Sequence, residues 1–368
     1  MSKTGRLLLV VVFALICLGL VMTYSASAVY AQQKIGSISH FFWRQFIAAI
    51  LGFTALFICA GINPYWIRRR SYIWLSASLF LLVLVFVPFI GRPAGGAHRW
   101  IGWGAFRFQP AEFVKLAVCI YLADYLARKR AWISTGKVRA LFGPGVVLLM
   151  LGGMIVIQPD FGSVAMLSAL AAILFFLAGI KLRYIITVCV AAIPCLGFLI
   201  ALKPYRVLRV LTYLNPWNDA QGSGFQIIQS YIAFGLGGMW GVGLGSSTQK
   251  LFYLPQSHTD FIFAIIGEEW GFFGTVAIVL LFGLFLFCGI KISLKAGSSY
   301  LRLVSAALVL VIALQALVNM LVTTGMLPTK GLPLPFLSYG GSALLFNMIA
   351  VGLLLGVDRK SETACVSL

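Results

Sequence analysis

Acid is what this chain has least of: 9 Asp and Glu stand among 368 residues, against 28 Lys and Arg. Charge of either sign makes up only 10% of the sequence, where a soluble domain carries about 25%. There are only three His, and His98 and His258 are far apart in the chain, so a structural zinc site is not expected. The seven Cys lie in apolar runs or in the last residues, and Cys189 and Cys195 are not at C-x-x-C spacing. No disulfide framework or redox motif is indicated. Together these shortages exclude a soluble enzyme, a disordered chain and a disulfide scaffold.

What is abundant is apolar sequence, 61% of all residues. A helix needs about 20 such residues to cross a bilayer core of about 30 Å. Runs of that kind lie at roughly 7–24, 45–62, 71–90, 111–127, 141–157, 161–180, 184–202, 259–289, 302–325 and 342–357. They predict an all-α polytopic membrane protein of about ten transmembrane helices, a single integral domain over 1–368. The first run lacks an A-x-A cleavage pattern and is expected to be retained. The eighth is too long for one straight crossing, so its first turns, from Asp260 to about Trp270, should sit at a surface or in a cavity.

The net charge of +19 would suggest nucleic acid on a soluble protein. Here most of it follows the positive-inside rule. Lys3, Arg6, Arg68, Arg69, Arg70, Arg128, Lys129, Arg130, Lys181, Arg183, Lys291, Lys295, Arg302, Arg359 and Lys360 fall on one side, with Lys137 and Arg139. That places both termini in the cytoplasm and leaves no nucleic-acid partner to be expected. Most of the few acids lie on the other side, among them Asp160, Asp219, Asp260, Glu268 and Glu269. Charge beside a membrane core is costly, so such a cluster suggests function.

One exterior loop is long, residues 203–258, with a short cytoplasmic tail at 358–368. Within the loop, 225–234 (FQIIQSYIAF) has the apolar spacing of an interfacial amphipathic helix between spans seven and eight. The following GLGGMWGVGLG lacks the strand–turn–helix setting of a dinucleotide fingerprint and suits close backbone packing.

Four stretches could carry chemistry. In QPAEFVK, Glu112 and Lys115 share a helix face, as a charged cavity wall or equally as a structural staple. In HTDFIFAIIGEEWGFFG, Asp260 opens a helical stripe continued by Gly267, Gly271 and Gly274, while Glu269 points elsewhere. Asp260, flanked by phenylalanines, suits a general base with a raised pKa. PTKGLPLPFLSYGGS breaks the helix with three prolines and offers Lys330 and Ser338 to a cavity. QPDFG is a tight turn whose Gln158 and Asp160 line the same side, Asp160 reading equally as a helix N-cap. Many exterior cations, including Arg92, Arg99, Arg107, Arg206, Arg209 and Lys250, around one carboxylate suit a lipid-linked pyrophosphate and a sugar hydroxyl. Span middles nearly free of charge speak against an ion-coupled transporter.

GGAHRWIGWG, FQPAEFVKLA, QPDFG, NPWNDAQGSGFQIIQS, GLGSSTQKLFYLPQSHTDFIFAIIGEEWG and PTKGLPLPFLSYGGSALL resemble the motifs of the SEDS family (shape, elongation, division and sporulation), along nearly the whole chain. NPWND, QGSGFQ and MLPTKGLPLPF are more similar to the division members than to the elongation members. His98 before Arg99, and Trp270 where the family usually has Leu, depart from its pattern.

The resemblance implies a peptidoglycan glycosyltransferase in the bacterial inner membrane, at the division septum. It would polymerise lipid II on the outer face and release undecaprenyl pyrophosphate. Expected partners are lipid II and the undecaprenyl-linked glycan, a class B penicillin-binding transpeptidase, other divisome membrane proteins and membrane lipid. The family's essential aspartate maps onto Asp260, its charged pair onto Glu112 and Lys115, and an arginine onto Arg99. No tightly bound cofactor is implied. With no dedicated metal cage in the sequence, Mg2+ or Mn2+ would be held mainly by pyrophosphate and Asp260. A lipid II flippase and a non-catalytic divisome scaffold are the competing readings.

Overall fold

The computed structural model describes the chain except residues 95–96, 104–105, 135–140, 202–203, 223, 252, 330 and 367–368, and at some other positions, Arg107 and Arg206 among them, the backbone alone. Among the described residues, fourteen helices and three short strands follow in chain order. They begin α1 (Lys3–Ile35), α2 (His40–Gly61), α3 (Pro64–Arg69) and α4 (Ser71–Leu84). Next come β1 (Gly91–Ala94), β2 (Ala97–Trp103) and β3 (Phe106–Phe108), then α5 (Pro110–Arg128), α6 (Arg130–Ser134), α7 (Phe142–Ile157), α8 (Phe161–Leu177) and α9 (Leu182–Ala201). The chain finishes with α10 (Pro204–Leu214), a 3-10 turn (Pro216–Asp219), α11 (Phe225–Gly237), α12 (Ile262–Lys295), α13 (Ser299–Thr323) and α14 (Gly341–Val366).

Each apolar run read from the sequence coincides with one helix. By length and composition α1, α2, α12, α13 and α14 are able to cross a membrane, and α4, α7, α8 and the first part of α9 are shorter apolar helices. The innermost helix is α5, buried from Ala111 to Asp124 on nearly every side. It packs against α13, α4 and α8, while α14 packs against α2 and α13. A helix buried all round cannot show an amphipathic stripe, which is why α5 reads as uniformly apolar apart from its few charges.

The opposite ends of the bundle are chemically distinct. At one, Asp358 of α14 accepts from Ser2 N (2.9 Å) and Ser2 Oγ (2.6 Å), tying the first residues to the last helix. At the same end Asp124 pairs with Arg68 and Arg128 (both 3.0 Å) and accepts from Ser71 Oγ (2.7 Å). The other end holds the irregular segments: the three strands, the α7–α8 turn, and the stretches before α12 and α14.

Three expectations need correction. The fold is not all-α: the three strands form an antiparallel sheet in the order β1-β2-β3, with Arg92 opposite Trp100 and Gly102 opposite Arg107. The β-favouring Trp100, Ile101, Trp103, Phe106 and Phe108 carried that signal, and glycine-bearing pairs separate the strands in sequence. Nor is the helix at 225–234 simply laid on an interface: Tyr231 and Ile232 are exposed, but its other face is packed inside the protein. It is part of α11, whose Ile227, Ile228, Ser230 and Ala233 are buried, and Ser230 Oγ donates to the Thr323 carbonyl (2.7 Å). The exposed amphipathic element of that loop is α10, with Leu208, Leu211 and Leu214 uncovered and Arg209 among them.

The third correction concerns α12. Gly271 adopts φ 67° and ψ −160° and breaks the helix directly after Trp270. The expected excess length is thus real, and of the two settings expected for its first turns, Ile262–Glu269 is enclosed by protein. Asp260 precedes the helix, and the break interrupts the stripe expected through Gly267, Gly271 and Gly274. Backbone groups freed by the break are taken up by the glycine-rich segment: Phe272 N donates to Gly238 O (2.9 Å), and Val242 N and Gly243 N donate to Glu268 O and Glu269 O (2.9 and 3.1 Å). Such repair is obligatory where water is scarce.

Close approach of α11 to α12 depends on Gly237, where a Cβ would overlap the Gly267 carbonyl oxygen. Gly237→Ala should therefore lower stability by about 1–3 kcal/mol through overpacking. Gly235→Ala, whose Cβ would meet nothing within 4 Å, should not. Thermal melts of the purified protein in detergent, comparing both variants with wild type, check this.

Candidate functional site

The irregular segments at the second end converge on Asp260. The turn before it closes through Thr259 N and Phe261 N, both donating to the Gln256 carbonyl (3.1 and 3.3 Å). Asn319 of α13 then donates through Nδ2 to the Asp260 carbonyl (2.8 Å) and the Leu332 carbonyl (2.7 Å). One amide thus joins the two non-helical stretches that precede α12 and α14. On the carboxylate side Gly331 leaves room, since a Cβ there would lie 3.0 Å from Asp260 Oδ2.

Two further elements bring charge to this carboxylate. Arg99 of β2 donates through Nε to the Gln158 carbonyl (3.0 Å) and through its guanidinium to the Pro159 carbonyl. These bonds dock the sheet on the α7–α8 turn. Gln158 is itself held by its side chain on the Leu82 carbonyl (3.2 Å). Asp160 caps α8, accepting from Ser163 N (3.2 Å) and Ser163 Oγ (2.7 Å). The N-cap reading of Asp160 therefore holds, and the same residue also stands near Asp260. Burial pushes the Asp260 carboxyl up to about 7; Arg99 opposes this and Asp160 adds to it. A carboxyl with that value is divided between acid and base at neutral pH, the condition a general base needs.

Other expected site residues lie close by with their polar groups already engaged. Ser338 Oγ donates to the Thr259 carbonyl and accepts from Leu334 N (2.8 Å), while its carbonyl accepts from Gln45 Nε2 (3.1 Å). Lys115 Nζ pairs with Glu112 (2.7 Å) and donates to Gln315 Oε1 (2.6 Å), whose amide continues to the Pro333 carbonyl (2.9 Å). All these groups are buried, and the Glu112–Lys115 pair supports the loop from beneath, as the staple reading has it. Lys250, counted among the exterior cations, is buried against Glu269 (2.8 Å) and presents no free charge. Lys330 lies outside the described residues.

The sequence reading passed over Gln45, Gln315 and Asn319. Their signal was present: amides inside apolar helices, with Gln315 and Asn319 at i,i+4 on one face of α13. A polar side chain in such a helix has to find a partner, and each of these reaches a non-helical carbonyl.

A bundle of apolar helices with a poised carboxylate and an arginine at one end defines a multi-pass membrane protein with an enzyme-like site. The chain belongs to the FtsW, RodA and SpoVE family of cell cycle proteins, which it matches over residues 6–363. A probable peptidoglycan glycosyltransferase FtsW of Geobacter metallireducens is 43% identical over 365 residues, covering 98% of this chain and 96% of that one. Stage V sporulation protein E of Bacillus subtilis is 41% identical over 362 residues, covering 98% of each chain. Among solved structures, one concerning coordination of polymerization and crosslinking by a peptidoglycan synthase complex superposes with a TM-score of 0.81 at 30% identity, covering 96% of this chain and 97% of that one. The rod shape determining protein RodA of Thermus thermophilus gives a TM-score of 0.69 at 26% identity, covering 96% of both chains.

Two measurements follow from the geometry. Lys115→Met leaves Glu112 buried without its cation and should cost about 3–5 kcal/mol, while Glu112→Gln with Lys115→Met should recover most of that loss. A double-mutant cycle in thermal stability reads the difference. For Asp260, the folded-state value lies above the ordinary 3.8, so ionisation opposes folding as pH rises from that value to about 7. Asp260→Asn should accordingly melt higher than wild type at pH 8. The gap should narrow as pH falls and close below the ordinary carboxylate range.

Proposed function

We infer that this chain is a peptidoglycan glycosyltransferase that polymerises lipid II, and the observation that carries the assignment of roles is Asp260 standing beside Arg99. Asp260 removes the proton from the 4-hydroxyl of the acceptor's GlcNAc. The freed oxygen attacks the anomeric carbon of the donor's MurNAc with inversion, and the bond from that carbon to pyrophosphate breaks. Arg99 stabilises the negative charge that gathers on the leaving undecaprenyl pyrophosphate, and Lys330, which the sequence offers to the same role, would be a second cation. Lys115 contributes by supporting the loop, because Glu112 already balances its charge. Gln158, Asp160 and Ser338 shape the pocket through the backbone they hold.

The basic residues at the opposite end support a topology with ten spans, both termini in the cytoplasm and Asp260 facing outward. The outer face of the bacterial inner membrane is where a lipid-linked disaccharide would meet it. Similarity to relatives named FtsW supports work at the division septum with a class B penicillin-binding transpeptidase and other divisome proteins. The described residues contain no group of three or more His, Cys, Asp or Glu able to hold a metal ion. Mg2+ or Mn2+ would then be shared between Asp260 and the substrate's pyrophosphate, offsetting charge on the leaving group.

Purified Asp260→Asn, folded like wild type, should form no glycan polymer from purified lipid II. Wild-type polymer from that variant would remove Asp260 as the base, and transbilayer movement of lipid II without polymer would favour the flippase reading. The wild-type rate should rise with pH along a limb centred near 7, falling about tenfold between the plateau and pH 6. Arg99→Gln should move that limb to higher pH, since its charge no longer opposes the burial of Asp260.

A further inference from the structure

Beyond the Asp260 site, the structure contains a second buried charged group that the reaction does not use. Glu268 and Glu269 are adjacent on α12, about 100° apart around the helix, and reach different partners. Glu268 accepts from Ser247 Oγ, from Thr248 N (2.8 Å) and Oγ1 (2.9 Å), and from Gln249 N (3.4 Å). Glu269 Oε1 accepts from Lys250 Nζ (2.8 Å) and from Ser25 Oγ of α1 (2.6 Å), and Lys250 Nζ also donates to Ser25 Oγ (3.1 Å). The three groups close a triangle. Glu269 Oε2 is buried with no hydrogen-bond partner among the described residues, so Lys250 and Ser25 alone orient the carboxylate.

The two glutamates clamp residues 247–250, and the chain then runs through Asp260 before returning to the same glutamates. Asp260 thus rides on a closed loop whose two ends meet at the Lys250–Glu269 pair. Along that loop Leu254 N donates to Gln249 O (2.9 Å), and Ser257 Oγ approaches the Ala26 carbonyl at 3.5 Å. Ser25 and Ala26 of α1 therefore touch the base of the loop and its far side. Among the described residues no hydrogen bond or ion pair joins the triangle to Arg99, Asp160 or Asp260, so any effect on the reaction passes through the loop.

We propose that Glu269, Lys250 and Ser25 are positioning residues for Asp260, setting the placement of its loop against α13 and the segment before α14. The proposal rests on Asp260 acting as the base. A misplacement of about 1 Å can cost on the order of 100-fold in rate without altering substrate affinity. The test uses the full-length protein with purified lipid II, recording kcat, KM and melting temperature for each variant. Lys250→Met combined with Glu269→Gln removes both charges together and should lower kcat about 10- to 100-fold, with KM and melting temperature close to wild type. Ser25→Ala, which keeps the ion pair, should lower kcat about threefold by the same loss of placement. Wild-type kcat in a variant that melts like wild type overturns the proposal, as does a loss of kcat that only tracks the folded fraction. If the double variant does not fold, Ser25→Ala decides on the same criteria. Asp260→Asn run alongside separates the readings: an active Asp260→Asn removes the base and this proposal with it. An inactive one beside an unaffected double variant removes this proposal alone.

Discussion

Backbone that leaves helical geometry inside an apolar bundle has to be satisfied by the protein itself, and the Asp260 end of this molecule is organised by that requirement. Two irregular stretches meet there, one before α12 and one before α14. Each is held by side chains that helices supply: Asn319 on the Asp260 and Leu332 carbonyls, Gln315 on Pro333, Gln45 on Ser338. The broken helix at Gly271 is repaired in the same way, by backbone of the glycine-rich segment. Asp260 lies on such an irregular segment, and these amides are the reason it can persist in apolar surroundings.

Charge follows a related logic. The sequence suggested a broad field of cations around Asp260, suited to a polyanion. In the folded chain two of them are neutralised internally, Lys115 by Glu112 and Lys250 by Glu269. Among the described residues Arg99 is the cation whose charge reaches Asp260, and its guanidinium is aimed by backbone carbonyls rather than by an acid. An arginine anchored on carbonyls keeps its full charge for an anion. A carboxylate held by burial rather than by an ion pair keeps its basicity.

Much of this was legible from residue order. The ten apolar runs each became one helix, and the excess length at 259–289 became a break immediately after Trp270. Asp260 stood out because a carboxylate beside phenylalanines at the edge of a span has few innocent explanations. The sheet of β1, β2 and β3 was missed because short aromatic stretches parted by glycines look like a loop until their pairing is seen. The helix at 225–234 was placed on a surface because its spacing shows one apolar face without showing what covers it. That cover is α12, at the close approach of Gly237 and Gly267.

Composition and periodicity by themselves determined that this chain spans a membrane many times, and where its helices lie, because crossing an apolar layer demands long unbroken hydrophobic runs. They also singled out Asp260 as a carboxylate at the edge of a span, and the family resemblance supplied the role proposed for it. Only the tertiary structure decided which charges remain available to it. Lys115, Lys250 and Arg99 are equivalent as cations in a sequence. Partners 3, 19 and 59 residues away separate them into two buried ion pairs and one arginine beside Asp260. The electrostatics of a buried site depends on distances that residue order does not contain.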